Sequence, residues 1–290
     1  MCQLTDANSQ SSPDVDLLEY AGPLKVLQSA LHKTDDPTKR AFVCIAAAST
    51  KAVKTAQGNT IAADMDFKDA HKLLREVDVL VVPGGTPASV MEFGKDDEPV
   101  KLIRAFGDMQ KNNPVKERTL LSISSGSMLL AQAGVLQGFT ATTHPDLDIK
   151  LEKMCQEASA YAAANRTEVI QETYVVNNAR FDLGDPEENP FVIDKRDMEV
   201  LSHKQRRRSS IARKGSDSWK MSNVQRDSTA RRTQLRLGGL RVITSNAGTA
   251  GLDAALYVVC AMANEDSAQE VAKSLQYEWR KGVVVDSLDV

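Results

Sequence analysis

The chain has 290 residues, of which 42% are hydrophobic and 26% are charged, and its formal net charge is −3. This composition excludes an intrinsically disordered chain and is typical of a globular protein with a hydrophobic core. No segment has the about 18 to 20 uninterrupted apolar residues of a membrane helix, and the polar beginning lacks a signal-peptide stretch, so we expect a cytoplasmic protein that could also enter the nucleus.

Two short apolar runs come first, AFVCIAAA at 41–48 and VDVLVV at 77–82, and both predict buried strands because they are too brief for core helices. Helical patterns occupy about 68–76 and 97–112. A third apolar run, 119–123, leads directly into the helical sequence SSGSMLLAQAGVL. The alternation of strands and helices predicts an α/β fold with a doubly wound, mainly parallel sheet and helices on both faces.

The second half of the chain continues this alternation. Apolar residues recur at helical spacing from 146 to 161, and the strand-like sequence YVVNNARF follows at 174–181. A further strand is predicted at 240–245, and two closing helices at 249–263 and 267–279. The sheet is therefore interrupted after about residue 194 and resumed near residue 239.

The interruption, 195–238, contains 13 Lys/Arg against 4 Asp/Glu, a local charge of +9 that leaves −12 for the rest of the chain. Its low apolar content predicts a disordered basic surface insertion. Ser209 and Ser210 follow three arginines, a setting that a basophilic kinase could recognise. No helix-turn-helix pattern or interleaved aromatic residues accompany the charge, so we do not expect a nucleic-acid partner.

The four cysteines, Cys2, Cys44, Cys155 and Cys260, show neither a CxxC motif nor the Cys/His spacing of a zinc site. They do not suggest the disulfide framework of a secreted domain either. We interpret those in apolar patterns as core residues. No metal and no cofactor are expected.

The first candidate for chemistry is the sequence SISSG, Ser122–Gly126, where an apolar strand meets a helix. A nucleophile on such a sharp turn, here Ser124, projects above the sheet, and small neighbours allow the strand and helix to approach closely. Backbone N–H groups at the start of the helix would favour developing negative charge. The alternative is an ordinary serine-rich helix cap.

Two further motifs could complete a site. Gly84 and Gly85 follow a buried strand in the sequence PGGTP, where glycine allows the backbone to approach a ligand; the alternative is a simple turn. His144 ends the β-prone run TATTH, which could return beside Ser124 as a further strand and supply a general base. The other three histidines lie in helical patterns or in the basic segment, although a lone histidine is often structural.

Together, the sequences VDVLVVPGGTP, LLSISSGSMLLAQAGVLQGFTATTHP and LRVITSNAGTAGLDAALYVV resemble the ThiJ/PfpI superfamily, which is class I glutamine amidotransferase-like, and especially its isonitrile-hydratase-like branch. The resemblance covers about 14–194 and 239–280. It implies one flavodoxin-like domain over 1–290 with the basic insertion inside it, and a homodimer.

The resemblance also implies roles for individual residues. The elbow nucleophile maps to Ser124, the oxyanion site to the backbone of Gly85 and Ser125, and the histidine to His144. Relatives place an acid before an apolar-Ala/Thr-Gly-Pro turn, which maps to Glu19 in LLEYAGP. The alternative for Glu19 is an exposed carboxylate at the start of a helix.

Two departures from the family pattern matter. Relatives carry cysteine at the elbow, whose thiol ionises readily, whereas Ser124 would need His144 or Glu19 to remove its proton. The polar beginning MCQLTDANSQSSPDV replaces the apolar first strand of relatives, so this strand is expected to be missing or altered.

The resemblance therefore implies a small-molecule enzyme, an isonitrile hydratase-like or glyoxalase-like hydro-lyase that acts on an isonitrile or reactive carbonyl carbon. The alternative is a non-catalytic protein that binds a small molecule or regulates, and that has lost the nucleophilic cysteine.

Overall fold

A computed structural model of the chain describes residues 2–5, 15–32, 39–158, 166–179, 192–194 and 235–286. Within these residues an eight-stranded sheet has the order β10-β12-β9-β11-β6-β5-β1-β2. Two small sheets pair β3 with β4 and β7 with β8. The strands are Cys2–Thr5 (β1), Cys44–Ala47 (β2), Ala52–Lys54 (β3), Thr60–Ala62 (β4), Val79–Val82 (β5), Thr119–Ile123 (β6), Thr140–Ala141 (β7), Glu168–Val169 (β8), Tyr174–Asn177 (β9), Val192–Asp194 (β10), Arg241–Ser245 (β11) and Val283–Asp286 (β12).

The described α-helices connect these strands. They are Leu17–Ser29 (α1), Phe67–Leu73 (α2), Pro87–Glu92 (α3), Glu98–Asn112 (α4), Gly126–Gln132 (α5), Asp148–Ala158 (α6), Ala250–Met262 (α7) and Glu265–Ser274 (α8). None of the described helices is both long and apolar enough to span a bilayer.

Helices cover both faces of the large sheet, as β5 shows. Its residues alternate, with Leu80 and Val82 in a core formed with α4 and α5, and Val79 and Val81 in a second core formed with α1, α7 and α8. Alternate side chains of a strand point to opposite faces, so this buried strand contributes to both cores. The β9–β11 pair is antiparallel and the other pairs of this sheet are parallel. The predicted doubly wound, mainly parallel α/β fold is confirmed.

The first strand was expected to be missing or altered, and the first of these alternatives is wrong: the strand is present, with a partly polar sequence. β1 lies between β2 and β5 and pairs with both in parallel register, Cys2 opposite Cys44 and Val79. The reason is that pairing is made by backbone hydrogen bonds to two neighbouring strands, which a polar sequence can also form. The pattern of apolar residues in the sequence does not indicate this backbone hydrogen bonding.

The strand that was expected to end at His144 is shorter in the structure than predicted. Only Thr140 and Ala141 are extended, and they pair with β8 in a two-stranded sheet outside the main one. Most of the predicted basic insertion, 195–234, with Ser209 and Ser210, lies outside the described residues. Its last residues belong to a short 3-10 helix, Arg236–Gly239, in which the carbonyl of Gly238 accepts a 3.0 Å hydrogen bond from Gln110.

Candidate functional site

The turn between β6 and α5 has a sharply bent backbone at Ser124. Its φ is 54°, the left-handed region that a residue with a Cβ seldom adopts. The Ser124 N–H donates to the carbonyl of Ser245 at 2.9 Å. Its carbonyl accepts hydrogen bonds from the Ser127 N–H at 3.3 Å, the Ser127 hydroxyl at 3.0 Å and the Thr143 hydroxyl at 3.0 Å. These contacts hold a conformation that costs about 1–3 kcal/mol by itself.

Gly126, the first residue of α5, permits the close approach of helix and strand. A Cβ at this position would lie 2.6 Å from the carbonyl oxygen of Val82 and 2.9 Å from that of Pro83. Both atoms belong to the backbone, so neither can move aside as a flexible side chain could. The absence of a side chain at Gly126 therefore allows the elbow to pack against the end of β5.

Replacing Gly126 with alanine is expected to lower the free energy of unfolding by about 2 kcal/mol, because the added methyl group overpacks the elbow. Urea unfolding monitored by circular dichroism measures this loss. Gly94→Ala is the matched control, since a Cβ there would have its nearest neighbour at 3.7 Å. Equal stability of the two variants would show that the elbow relaxes freely.

Glu19 lies in the first turn of α1 and is buried, with 6% of its surface exposed. The interpretation of Glu19 as an exposed surface carboxylate is therefore wrong. Oε1 accepts a 3.3 Å hydrogen bond from the Gly248 N–H, whereas Oε2 has no hydrogen-bond partner in the part of the chain that the structure describes. A Cβ at Gly84 would contact Oε2, so this glycine makes room for the carboxyl group.

Burial raises the pKa of Glu19 from 4.5 to about 7, because a carboxylate loses solvation inside the protein. Hydrogen bonds from the Gly248 N–H and the Ser124 side chain lower the pKa, and the negative charge of Asp16 raises it. Oε2 forms no hydrogen bond within the described residues, and the stabilisation of the carboxylate by Ser124 is weaker than the cost of burial. Glu19 is thus close to half protonated at neutral pH.

A pocket of about 730 Å³ brings together Glu19, Gly85, Ser124 and His144. Gly84 and Ser125, the other predicted site residues, are not among its lining residues. The remaining lining residues come from the start of α1, the β3–β4 turn, the start of α3 and the segment after β11: Asp16, Leu17, Leu18, Ala21, Ala56, Gln57, Thr86, Pro87, Ala247 and Gly248.

Of the two predicted oxyanion donors, the Gly85 N–H already forms a hydrogen bond and the Ser125 N–H does not within the described residues. The Gly85 N–H donates to the Ser125 hydroxyl at 2.9 Å, and this hydroxyl donates to the Gly85 carbonyl at 2.9 Å. The Ser125 and Gly126 N–H groups, in contrast, have no acceptor among the described residues. The backbone donors at the elbow that have no acceptor among the described residues are therefore those of Ser125 and Gly126, although neither residue lines the pocket.

His144 lines the pocket with 33% of its side chain exposed. Its Nδ1 accepts a 3.1 Å hydrogen bond from the Asp146 N–H, so in the neutral ring the proton is assigned to Nε2. In the described part of the chain no hydrogen bond joins His144 to Ser124. Glu19 is therefore the titratable group in closer contact with the Ser124 hydroxyl.

Sequence reasoning missed several residues of the pocket. Gln57, in the turn between β3 and β4, donates to Asp16 Oδ2 at 2.6 Å and accepts from the Leu17 N–H at 3.0 Å. Nothing in the sequence around Gln57 indicates this contact across 40 residues. Ala247 and Gly248 follow β11 and line the pocket. A glycine soon after a strand indicates a turn, and Gly248 indeed has a φ of 63°.

Comparison with known proteins identifies similar folds. The family model described as the DJ-1/PfpI family matches residues 11–180. A ThiJ/PfpI family protein from Pseudomonas syringae is 18% identical, with a TM-score of 0.54 over 97% of this chain and 76% of that chain. Schizosaccharomyces pombe DJ-1 is 13% identical, with a TM-score of 0.56 over 96% and 99%.

An AraC family transcriptional regulator from Pseudomonas putida is 14% identical, with a TM-score of 0.53 over 94% of this chain and 97% of that chain. Among curated protein sequences there is no significant match. At these identities the similarity of the solved structures concerns the fold alone.

Proposed function

The chain belongs to the DJ-1/PfpI family, and on that premise we propose that it is a hydro-lyase that adds water to a small isonitrile, with 2-oxoaldehydes as the second substrate class. The observation that carries the proposal is the buried carboxyl group of Glu19, which lies beside Ser124 in an open pocket. The pKa of this carboxyl group is about 7. A carboxyl group with such a pKa can give and take a proton at neutral pH.

In the proposed reaction, protonated Glu19 donates its proton to the terminal carbon of R–NC. The Ser124 oxygen then bonds to that carbon, and the hydroxyl proton passes to the Glu19 carboxylate, giving R–N=CH–O–Ser. A water molecule adds to the same carbon and the bond to Ser124 breaks, which yields R–NH–CHO and restores the serine. The Ser125 and Gly126 N–H groups, which lie next to Ser124 at the start of α5, favour negative charge that develops at this carbon.

A non-catalytic role as a small-molecule-binding or regulatory protein is the second candidate. It is favoured by the lack of a hydrogen bond between Ser124 and His144 in the described part of the chain, and by the engagement of the Gly85 N–H with Ser125. The similar fold of an AraC family transcriptional regulator agrees with such a role. A homodimer, implied by the family resemblance, is part of both proposals.

The two candidates are separated by incubating the protein with n-butyl isocyanide and, in parallel, with phenylglyoxal. Proton NMR follows the formamide in the first case and the 2-hydroxy acid in the second. A formamide signal that grows in proportion to the protein concentration supports the hydro-lyase. Saturable shifts of protein signals without consumption of either compound support the binding protein.

His144→Ala is expected to lower kcat/KM for n-butyl isocyanide by about tenfold, the effect of losing one neutral hydrogen bond to the substrate from Nε2. His71→Ala, a histidine paired with Glu98 away from the pocket, should leave kcat/KM unchanged. Steady-state kinetics of both variants measure the difference. A loss of about 100-fold or more would instead mean that His144 transfers a proton directly.

A further inference from the structure

The charged groups of the pocket have one sign. Asp16 and Glu19 both line it, and neither lysine nor arginine is among its described lining residues. Glu19 is buried, and its Oε2 accepts no hydrogen bond from the described residues. Resting on the proposed function, we propose that the pocket selects neutral or cationic isonitriles and aldehydes and rejects anionic ones, and that Asp16 is the residue that enforces this selection.

None of the contacts of Asp16 within the described residues comes from a cation. Oδ1 caps α1 by accepting from the Leu18 N–H at 2.9 Å and the Glu19 N–H at 3.1 Å. Oδ2 accepts from the Gln57 amide at 2.6 Å. All three donors are neutral, and none of the described cations forms an ion pair with Asp16. The charge therefore acts on whatever occupies the pocket.

Helix N-termini oppose this field only in part. The start of α1, which Asp16 caps, and the start of the seven-residue α5 each contribute at most about half a positive charge, and the effect of α5 falls off within its first turn. It therefore acts on the reacting carbon beside Ser124. The hydrogen bond from Gln57 holds Asp16 against the β3–β4 turn. The part of the substrate away from the reacting carbon therefore lies near this carboxylate and near apolar side chains of the lining, Leu17, Leu18 and Pro87. An anionic substituent there would face repulsion without a cation to pair with.

The charge at the elbow can be measured without turnover through Ser124→Cys. Methanethiosulfonates with an aminoethyl, a methyl or a sulfonatoethyl group differ in charge but form a disulfide with the same thiol. Intact mass spectrometry measures the rate at which each reagent modifies the variant, and the rate measured with the wild type is subtracted. Each corrected rate is then divided by the rate of the same reagent with 2-mercaptoethanol. We expect the normalised rate of the cationic reagent to be about ten times that of the anionic reagent, because the charged residues of the pocket produce a negative local potential.

Asp16→Asn in the Ser124→Cys background should reduce this ratio severalfold, because asparagine keeps the cap of α1 and loses the charge. Asp66→Asn is the matched control, since Asp66 caps α2 by accepting from the Asp69 N–H at 2.8 Å and does not line the pocket. A ratio near one, a preference for the anionic reagent, or equal effects of the two substitutions would overturn the proposal.

A second measurement keeps the inference independent of the cysteine variant. NMR titration of the wild type compares N-butylformamide, N-(4-aminobutyl)formamide and 4-formamidobutyrate, and the anionic compound should bind at least about tenfold more weakly than the other two. Equal or tighter binding of the anion would contradict the selection. If the selection holds but no isonitrile is hydrated, the proposed function fails alone. If hydration occurs without charge preference, this inference fails alone.

Discussion

Replacing Glu19 with glutamine is expected to lower kcat for isonitrile hydration by about 1,000-fold, because the amide occupies the same space and cannot transfer a proton. Glu270→Gln, at an exposed position of α8, is the control and should retain full activity. Steady-state kinetics with n-butyl isocyanide measure both variants. Activity of Glu19→Gln within tenfold of the wild type would assign the proton transfer to another group.

The pH dependence gives the same prediction a second readout. In the proposed reaction Glu19 acts in its protonated form in the first step. We therefore expect kcat/KM to fall as the pH rises through about 7, the pKa of this carboxyl group. Glu19→Gln should lose this ionisation from its pH profile. A wild-type profile that rises through pH 7 would mean that the carboxylate is the active form.

Stability should change with pH in a related way. The folded state favours protonated Glu19, since its pKa is raised from 4.5 to about 7. This contribution is fully present below pH 4.5 and is lost as the pH rises through about 7; it amounts to at most about 3 kcal/mol. Above pH 8 the Glu19→Gln variant should therefore be more stable than the wild type, and thermal unfolding at pH 5 and pH 8.5 tests the sign.

Ser124→Ala is expected to lower kcat by about 100-fold, because it removes the oxygen that bonds to the isonitrile carbon. The matched control is Ser122→Ala, two residues earlier on β6. Its hydroxyl is buried, has no hydrogen-bond partner among the residues described and does not line the pocket. The control should keep both activity and stability. If Ser124→Ala is as active as the control, water attacks the carbon directly with Glu19 alone.

Much of the fold could be predicted because its central strands are buried on both faces. Runs such as 77–82 and 119–123 are mostly apolar, and the structure places β5 and β6 within them. β1 and the β3–β4 hairpin could not be predicted in this way. Their pairing depends on backbone hydrogen bonds to distant segments, which leave little trace in short polar sequences.

The candidate site shows the same division between local and distant information. The elbow at Ser124 has a local signature, because small residues are needed where β6 turns into α5. The burial of Glu19 has none, since it results from packing against Gly84 and Gly248, which are far away in sequence. The contact between Gln57 and Asp16 is equally remote from any motif.

The position of β1 has a consequence for altered forms of the chain. In the described sheet, β2 pairs with β1 alone, and β1 covers one side of β5. A truncation that removes residues 1–5 would detach β2 and leave a row of unpaired N–H and carbonyl groups along β5. Such an exposed edge is a template for a strand from another molecule. Shortened forms of the protein should therefore self-associate and aggregate even where the pocket remains intact.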